Sequence, residues 1–145
     1  VNEREFCGNF SEHRNYHITK CSGDYIFVLD ADEIPQELLI KNIKHFKSDI
    51  LAVPRINIIP GYTDDWCKKM GFAVNELGWI NWQDYQGRFF KNNGEIKWSL
   101  GLHERLIGSE KVAKIQANPQ LSLWHIKSIE KQEKQDMFYK NLKEN

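Results

Sequence analysis

No stretch of this sequence approaches the ~20 consecutive apolar residues that cross a bilayer, and no signal-peptide pattern opens it. A membrane span is therefore not expected, and a cytoplasmic location is. There is no excess of charge either: 20 basic residues face 20 acidic ones, for a formal net charge of zero. That leaves no global field to recruit nucleic acid or an anionic membrane. Cysteine is scarce. Cys7, Cys21 and Cys67 form an odd set without CxxC spacing, which suits a reducing compartment better than a disulfide framework. Internal repeats, low-complexity tracts and Gly/Ser linkers are missing too, so residues 1–145 read as a single domain. The chain begins at Val1 and enters a charged segment at once; an upstream part of the same polypeptide is expected to precede it.

What is present reads as globular. Hydrophobic residues make up 41% of the chain and aromatic ones 12%, which does not favour disorder. A domain of this size buries roughly 68–70% of its unfolded surface. Ser11 is expected to cap a helix to about Lys20, ended by Ser22-Gly23-Asp24. Tyr25–Leu29 is a continuous apolar run of strand length, the pattern of a strand covered on both faces. Pro35 suits a first helical turn, with Leu38, Leu39, Ile43 and Phe46 at helical spacing. Ile50–Ile59 reads as a β-branched strand in which Pro54 signals an edge or a bulge. Pro60–Asp84 is a long aromatic connection, either functional or containing an unread element. Tyr85–Lys91, Asn92-Asn93-Gly94 and Glu95–Trp98 read as a hairpin. Leu121–Ile126 is a further strand, and a polar helix follows Ser128, with Ile129, Phe138 and Leu142 as sparse anchors. Early strand–helix alternation with a late hairpin predicts an α/β fold with a mixed sheet flanked by helices.

The informative stretch is YIFVLDADEIP, Tyr25 to Pro35, where the apolar run meets Asp30, Asp32 and Glu33. In open α/β sheets ligands sit beyond the carboxyl ends of the strands. If the strand persists, the two-residue spacing puts Asp30 and Asp32 on one side. Two carboxylates that close repel unless a cation neutralises them. Mg²⁺ or Mn²⁺ fits, because such ions take few carboxylates and complete their shell with phosphate and water. The bland alternative is a solvated strand end or a helix cap. Glu104, in LGLHERLIG, is a candidate general base, a role worth ~10²–10⁴-fold in rate; the alternative is a surface Glu paired with Arg105. His125 ends the strand LSLWHI, where a neutral imidazole could complete a metal shell or serve a structural hydrogen bond.

Three blocks in order carry a family resemblance: FSEHRNYHITKCSGDYIFVLDADEIP, QGRFFKNNGEIKWSLGLHERLIG and LWHIKS. Together they run from Phe10 to about Ser128, and they resemble the middle and end of a family 2 glycosyltransferase with the GT-A fold. The resemblance implies a metal-dependent, inverting transfer of a sugar from a nucleotide-sugar donor, a UDP-sugar first of all, to the hydroxyl of a saccharide-type acceptor. It implies Asp30 near the ribose and the metal, Asp32 as a metal ligand and His125 as a further metal or diphosphate contact. Glu104 would be the base, Arg14 would lie close to the nucleotide, and Arg88 would sit on the donor or acceptor side. The family's N-terminal portion, with its first strands and the acid that recognises the base, has no counterpart before Val1, so residues 1–145 correspond to about the C-terminal two-thirds of such a domain.

Other features carry two readings. Glu33 either contacts the sugar or caps a turn. His13, His17 and Cys21 share a helical face, but structural zinc takes four ligands and no fourth is signalled, so a polar face is expected. The segment from Trp66 to Trp82 reads as an acceptor-side lid, or as the core of an irregular loop. Lys131, Lys134, Lys140 and Lys143 suggest a solvated helix face. Two other function classes compete with the transferase: a non-catalytic carbohydrate-binding module using the tryptophans, and a metal-dependent phosphoesterase or nuclease built on the same acids and histidine. The absence of a basic stripe counts against a nuclease.

Overall fold

The β-branched run from Ile50 becomes the strand on which the sheet is built. The computed structural model describes residues 2–144, with side chains through Leu142. The predicted role of Lys143 lies outside the described side chains. In chain order the strands are β1 (Tyr25–Phe27), β2 (Glu33–Pro35), β3 (Ile50–Ile58), β4 (Ile80–Lys91), β5 (Lys97–Ser99), β6 (Arg105–Ile107), β7 (Val112–Lys114) and β8 (Leu123–Ile126). The helices are α1 (Phe10–Ile18), α2 (Glu37–Asn42), α3 (Asp64–Met70) and α4 (Ile129–Glu144). The main sheet runs β1-β4-β3-β8-β2, with β7 also beside β3, while β5 and β6 form a separate antiparallel pair. β3 is antiparallel to β4 and parallel to β7 and β8, so the sheet is mixed. Among the described residues no helix is long and apolar enough to cross a membrane.

Alternation along the strands splits the apolar residues between two faces. Phe89 joins Leu39, Ile43, Leu51, Val53, Ile115 and Leu123 on one face, against α2. Its neighbour Phe90 joins Ile26, Ile50, Ile96 and Trp98 on the other, against α1 and β5. Each fully buried side chain of this size contributes about 1.5–3 kcal/mol. The sheet curls where its register shifts, between Leu51 and Ala52 and between Arg55 and Asn57, because a bulge bends its strand and increases the twist.

Several local expectations are corrected. Pro54 is neither at an edge nor in a bulge. It sits in the central strand, in the opening between the pairing of β7, which ends at Ala52, and that of β8, which begins at Arg55. A residue without an N–H costs little in such an opening. β1 is shorter than the apolar run and lies at the edge of the sheet; the chain turns away after Val28, whose N–H still donates to Arg88 C=O at 2.8 Å. Asn9, not Ser11, caps α1, its Oδ1 accepting from Glu12 N–H at 3.0 Å. Pro35 ends β2 rather than opening a helix. The long connection contains α3, capped by Thr63 and closed by Gly71 at φ +71°, and β4 begins well before Tyr85. The predicted hairpin does not form, because both edges of β4 near Phe89 and Phe90 are occupied by β1 and β3. β5 turns instead to β6, pairing Lys97 with Ile107 and Ser99 with Arg105. Gly108 is required at the exit of this hairpin: its φ is +102°, and a Cβ there would lie 2.2 Å from Glu95 C=O.

Candidate functional site

A cavity of about 800 Å³ opens over β3, β4 and β8, walled by α1, α4 and the β5–β6 hairpin, a size suited to a small-molecule site. Arg14, Asp30, Asp32, Arg88, Glu104 and His125 all line it. The site is best built from α1. Asn15 plays the part of a strand edge: its Oδ1 accepts from Trp98 N–H at 2.8 Å and its Nδ2 donates to Trp98 C=O at 2.9 Å. This locks α1 to β5 and sets Arg14 over the Trp98 ring, 5.0 Å from its centroid. Arg14 Nε then donates to Glu104 Oε1 at 2.6 Å, and its Nη2 to Asp30 Oδ1 at 2.7 Å.

The chain of charges continues. Arg88, only 3% exposed, donates from Nη2 to Asp30 Oδ2 at 2.6 Å and to Glu33 Oε1. Glu33, whose side chain is fully buried, also accepts from Arg55 Nη1 at 3.1 Å and from Asp30 N–H at 3.1 Å. Arg55 in turn donates to Asp84 Oδ2 from Nη2 at 2.7 Å and from Nε at 2.9 Å. The result alternates acid and guanidinium from Glu104 to Asp84. Burial alone would raise the Asp30 carboxyl, but Arg88 and Arg14 bring it below the usual range. Asp84 follows the same pattern, with Arg55, Asn57 and Gln86 overcoming its burial. Glu33 thus caps the Asp30–Glu33 turn, the second of its two expected readings, and it also anchors two arginines. Asp30 is likewise met by guanidinium groups, so its tolerance here does not depend on a shared metal ion.

Asp32 does not join that chain. Asp30 and Asp32 lie beyond the strand, in a turn closed by Glu33 N–H donating to Asp30 C=O at 3.0 Å, and the two carboxylates meet different partners. Asp32 Oδ2 lies 3.3 Å from His125 Nε2 and 3.0 Å from Lys131 Nζ. The tautomer of His125 follows from Asn57. Asn57 Nδ2 donates to Asp84 Oδ2 at 3.0 Å and to Ile80 C=O at 3.2 Å, which leaves its Oδ1 as an acceptor. His125 Nδ1, 2.7 Å from that oxygen, therefore carries the proton. Burial, with Arg55 and Lys127 nearby, pushes His125 down to about 4, so the ring is neutral near pH 7. Its Nε2 lone pair then faces an anionic oxygen: two acceptors with no hydrogen between them. That pair fits a divalent cation with few protein ligands, and an imidazole held through its other nitrogen is the usual form of such a ligand. Among the described residues, no three His, Cys, Asp or Glu side chains gather as a metal-holding group. Asp32 and His125 would supply two donors and leave the rest to water and ligand.

Glu104 is held by an unusual loop. Leu100 and His103 have φ of +75° and +56°, conformations that cost of order 1–3 kcal/mol each for non-glycine residues. Ser11 Oγ donates to Leu100 C=O, and Phe10 N–H donates to Gly101 C=O at 3.0 Å. The first turn of α1 thus fixes the loop, through the Ser11 hydroxyl and the Phe10 N–H, while Arg14 orients the Glu104 carboxylate.

The sequence reading passed over Arg55, Asn57, Asp84, Lys127 and the inner face of α4. The signals were present: a β-branched strand that carries Arg55 and Asn57 at alternate positions, and Gln132, Gln135 and Tyr139 at i, i+3 and i+7 of a helix read as solvated. Those three line the cavity. The three candidate soft ligands separate: Cys21 lies past the end of α1, its Sγ donating to His17 C=O at 3.5 Å, while the His13 and His17 rings pack edge to face at 4.9 Å. In the aromatic segment, Trp66 Nε1 donates to Glu133 of α4 at 3.0 Å, and Phe72 and Ile80 reach the cavity wall. No family model matches the chain, and no match to a curated protein was found.

Proposed function

We propose that the chain is a glycosyltransferase, or the larger part of one, with the cavity as its reaction site. The supporting observation is the facing pair of acceptors, Asp32 Oδ2 and His125 Nε2 at 3.3 Å, in a cavity also lined by Glu104, which Arg14 orients. A mixed sheet flanked by helices is compatible with the GT-A fold that the sequence resembles. In this reading the acceptor hydroxyl oxygen attacks the anomeric carbon of a nucleotide-sugar. Glu104 takes the hydroxyl proton as the new glycosidic bond forms. The bond from the anomeric carbon to the diphosphate oxygen breaks on the opposite face, and its electron pair leaves with the nucleoside diphosphate, inverting the centre. A divalent ion at Asp32 and His125, Mn²⁺ or Mg²⁺, would supply positive charge to the departing diphosphate. Charge that develops only as the bond breaks is stabilised more in the transition state than in the ground state, which is what raises the rate.

Two measurements test the reading. Mn²⁺ with uridine diphosphate is expected to raise the melting temperature, and Asp32→Asn to abolish the rise; an equal rise in the variant contradicts the metal assignment. Glu104→Gln is expected to retain nucleotide binding while lowering transfer by ~10²-fold or more. Full transfer activity in that variant excludes Glu104 as the base.

A further inference from the structure

We propose that Lys127 is the anion seat of the cavity, its ammonium donating to a non-bridging oxygen of a diphosphate lodged beside Asp32 and His125. The inference rests on the transferase reading and adds to it a residue with no assigned role. Lys127 follows β8, and its N–H donates to Ile58 C=O at 3.0 Å. The ladder therefore extends past Ile126, and the two-residue period puts Lys127 on the same face as His125. It is 8% exposed and lines the cavity.

A lysine is rarely so buried without a charged partner. Here the partners of Nζ are neutral: Gln135 Oε1, and Gln132 Oε1 at 3.5 Å. Among the described residues, no carboxylate comes within ion-pair distance of Nζ. An ammonium has three donors, so two amide carbonyls leave one for a ligand. The glutamines also hold the head in place, Gln135 being braced in turn by Tyr139 Oη.

The neighbourhood selects the ligand's chemistry. If Asp32 and His125 hold a divalent ion, a second cation beside it is repelled unless an anion lies between them. A diphosphate has oxygens enough to meet both, whereas a neutral sugar hydroxyl would leave the two positive charges opposed. Lys127 thus completes, from the end of β8, a cradle in which the metal ligands form only one side.

The test is calorimetric titration of the chain with inorganic pyrophosphate, with and without Mn²⁺, a probe that needs no nucleoside pocket. The unmodified chain is expected to bind Mn²⁺–pyrophosphate. Lys127→Met should weaken this by about tenfold or more, the worth of a charge-assisted hydrogen bond. Gln135→Glu keeps the lysine but pairs it internally, and should weaken binding likewise without leaving a gap in the wall. Unchanged affinity in both variants overturns the role of Lys127 and leaves the transferase reading standing. Weakening in Lys127→Met alone, with a lowered melting temperature, also overturns it, since that marks a packing role. Failure of the unmodified chain to bind Mn²⁺–pyrophosphate removes the transferase reading, and this inference with it.

Discussion

The two ends of the cavity handle charge in opposite ways. Towards α1, every carboxylate has a guanidinium: Glu104 and Asp30 share Arg14, Asp30 and Glu33 share Arg88, and Glu33 and Asp84 share Arg55. Arginine suits this because its planar fork reaches two acids at once and holds its geometry. Towards β8 and α4 the cations are lysines, flexible point charges. Lys131 is 57% exposed at the side chain where it meets Asp32, and Lys127 rests on neutral amides. The first end is internally neutralised: from Asp30 to Asp84 it works as scaffold, and at its margin Arg14 orients Glu104, the proposed base. The second has charges and lone pairs with partners still to find. A ligand's ionic groups belong where the chain has left its own unanswered.

The comparison is broken most easily at Arg88. Arg88→Met would strand Glu33, whose side chain is fully buried, beside one remaining guanidinium, and would free one oxygen of Asp30. Removing one partner of a buried pair costs about 3–5 kcal/mol. Urea denaturation is expected to show a loss of that order, and a loss below about 1 kcal/mol would mean that the arginine end is not a scaffold.

A smaller effect is expected from acid. Asp30 and Asp84 both sit below their ordinary range, so the folded chain binds fewer protons than the unfolded one where these groups titrate. Stability therefore falls as pH falls, from about pH 5 through the native pKa values of the pair. Asp84→Asn removes one of the two groups and should make the acid limb shallower. Denaturation curves collected from about pH 5 to about pH 2 test this, and an unchanged limb in the variant would show that the braced acids do not control acid stability.

How much of this was legible depended on whether residues near in sequence were also near in space. Asp30, Asp32 and His125 could be named because they stand at or just past the end of an apolar run, where a charge is conspicuous, and Glu104 because its His-Glu pair follows the predicted hairpin and matches the family resemblance. Their partition could not. Whether Asp32 faces Asp30 or His125 depends on the turn at Asp30–Glu33 and on β2 pairing with β8, which brings Glu33 opposite His125; no local pattern encodes that contact. Arg55 was hidden within a strand read only for its β-branched residues, although a guanidinium in a buried strand requires partners. The false hairpin at Asn92-Asn93-Gly94 had correct turn chemistry, and Asn93 Oδ1 does accept from the N–H groups of Glu95 and Ile96. Competition for the edges of β4 redirected the chain, and that competition is a property of the whole sheet.

The finest separation of the two ends comes from Lys131. Its ammonium sits on the same Asp32 oxygen that faces His125, so in the free chain it holds the position assigned to the metal ion in the proposed function. Two outcomes follow from two views of that contact. If Lys131 is a replaceable counter-ion, Lys131→Met should change stability by no more than about 1 kcal/mol, as exposed pairs do. Losing the competitor should then tighten Mn²⁺ binding by up to about fivefold, the equivalent of that energy. If Lys131 is itself the cation that the diphosphate requires, the same variant should lose uridine diphosphate binding, and Mn²⁺ should make no difference to the unmodified chain. The neutral, correctly oriented Nε2 of His125 favours the first outcome, because a lysine answers only the carboxylate and leaves the imidazole lone pair facing the cavity.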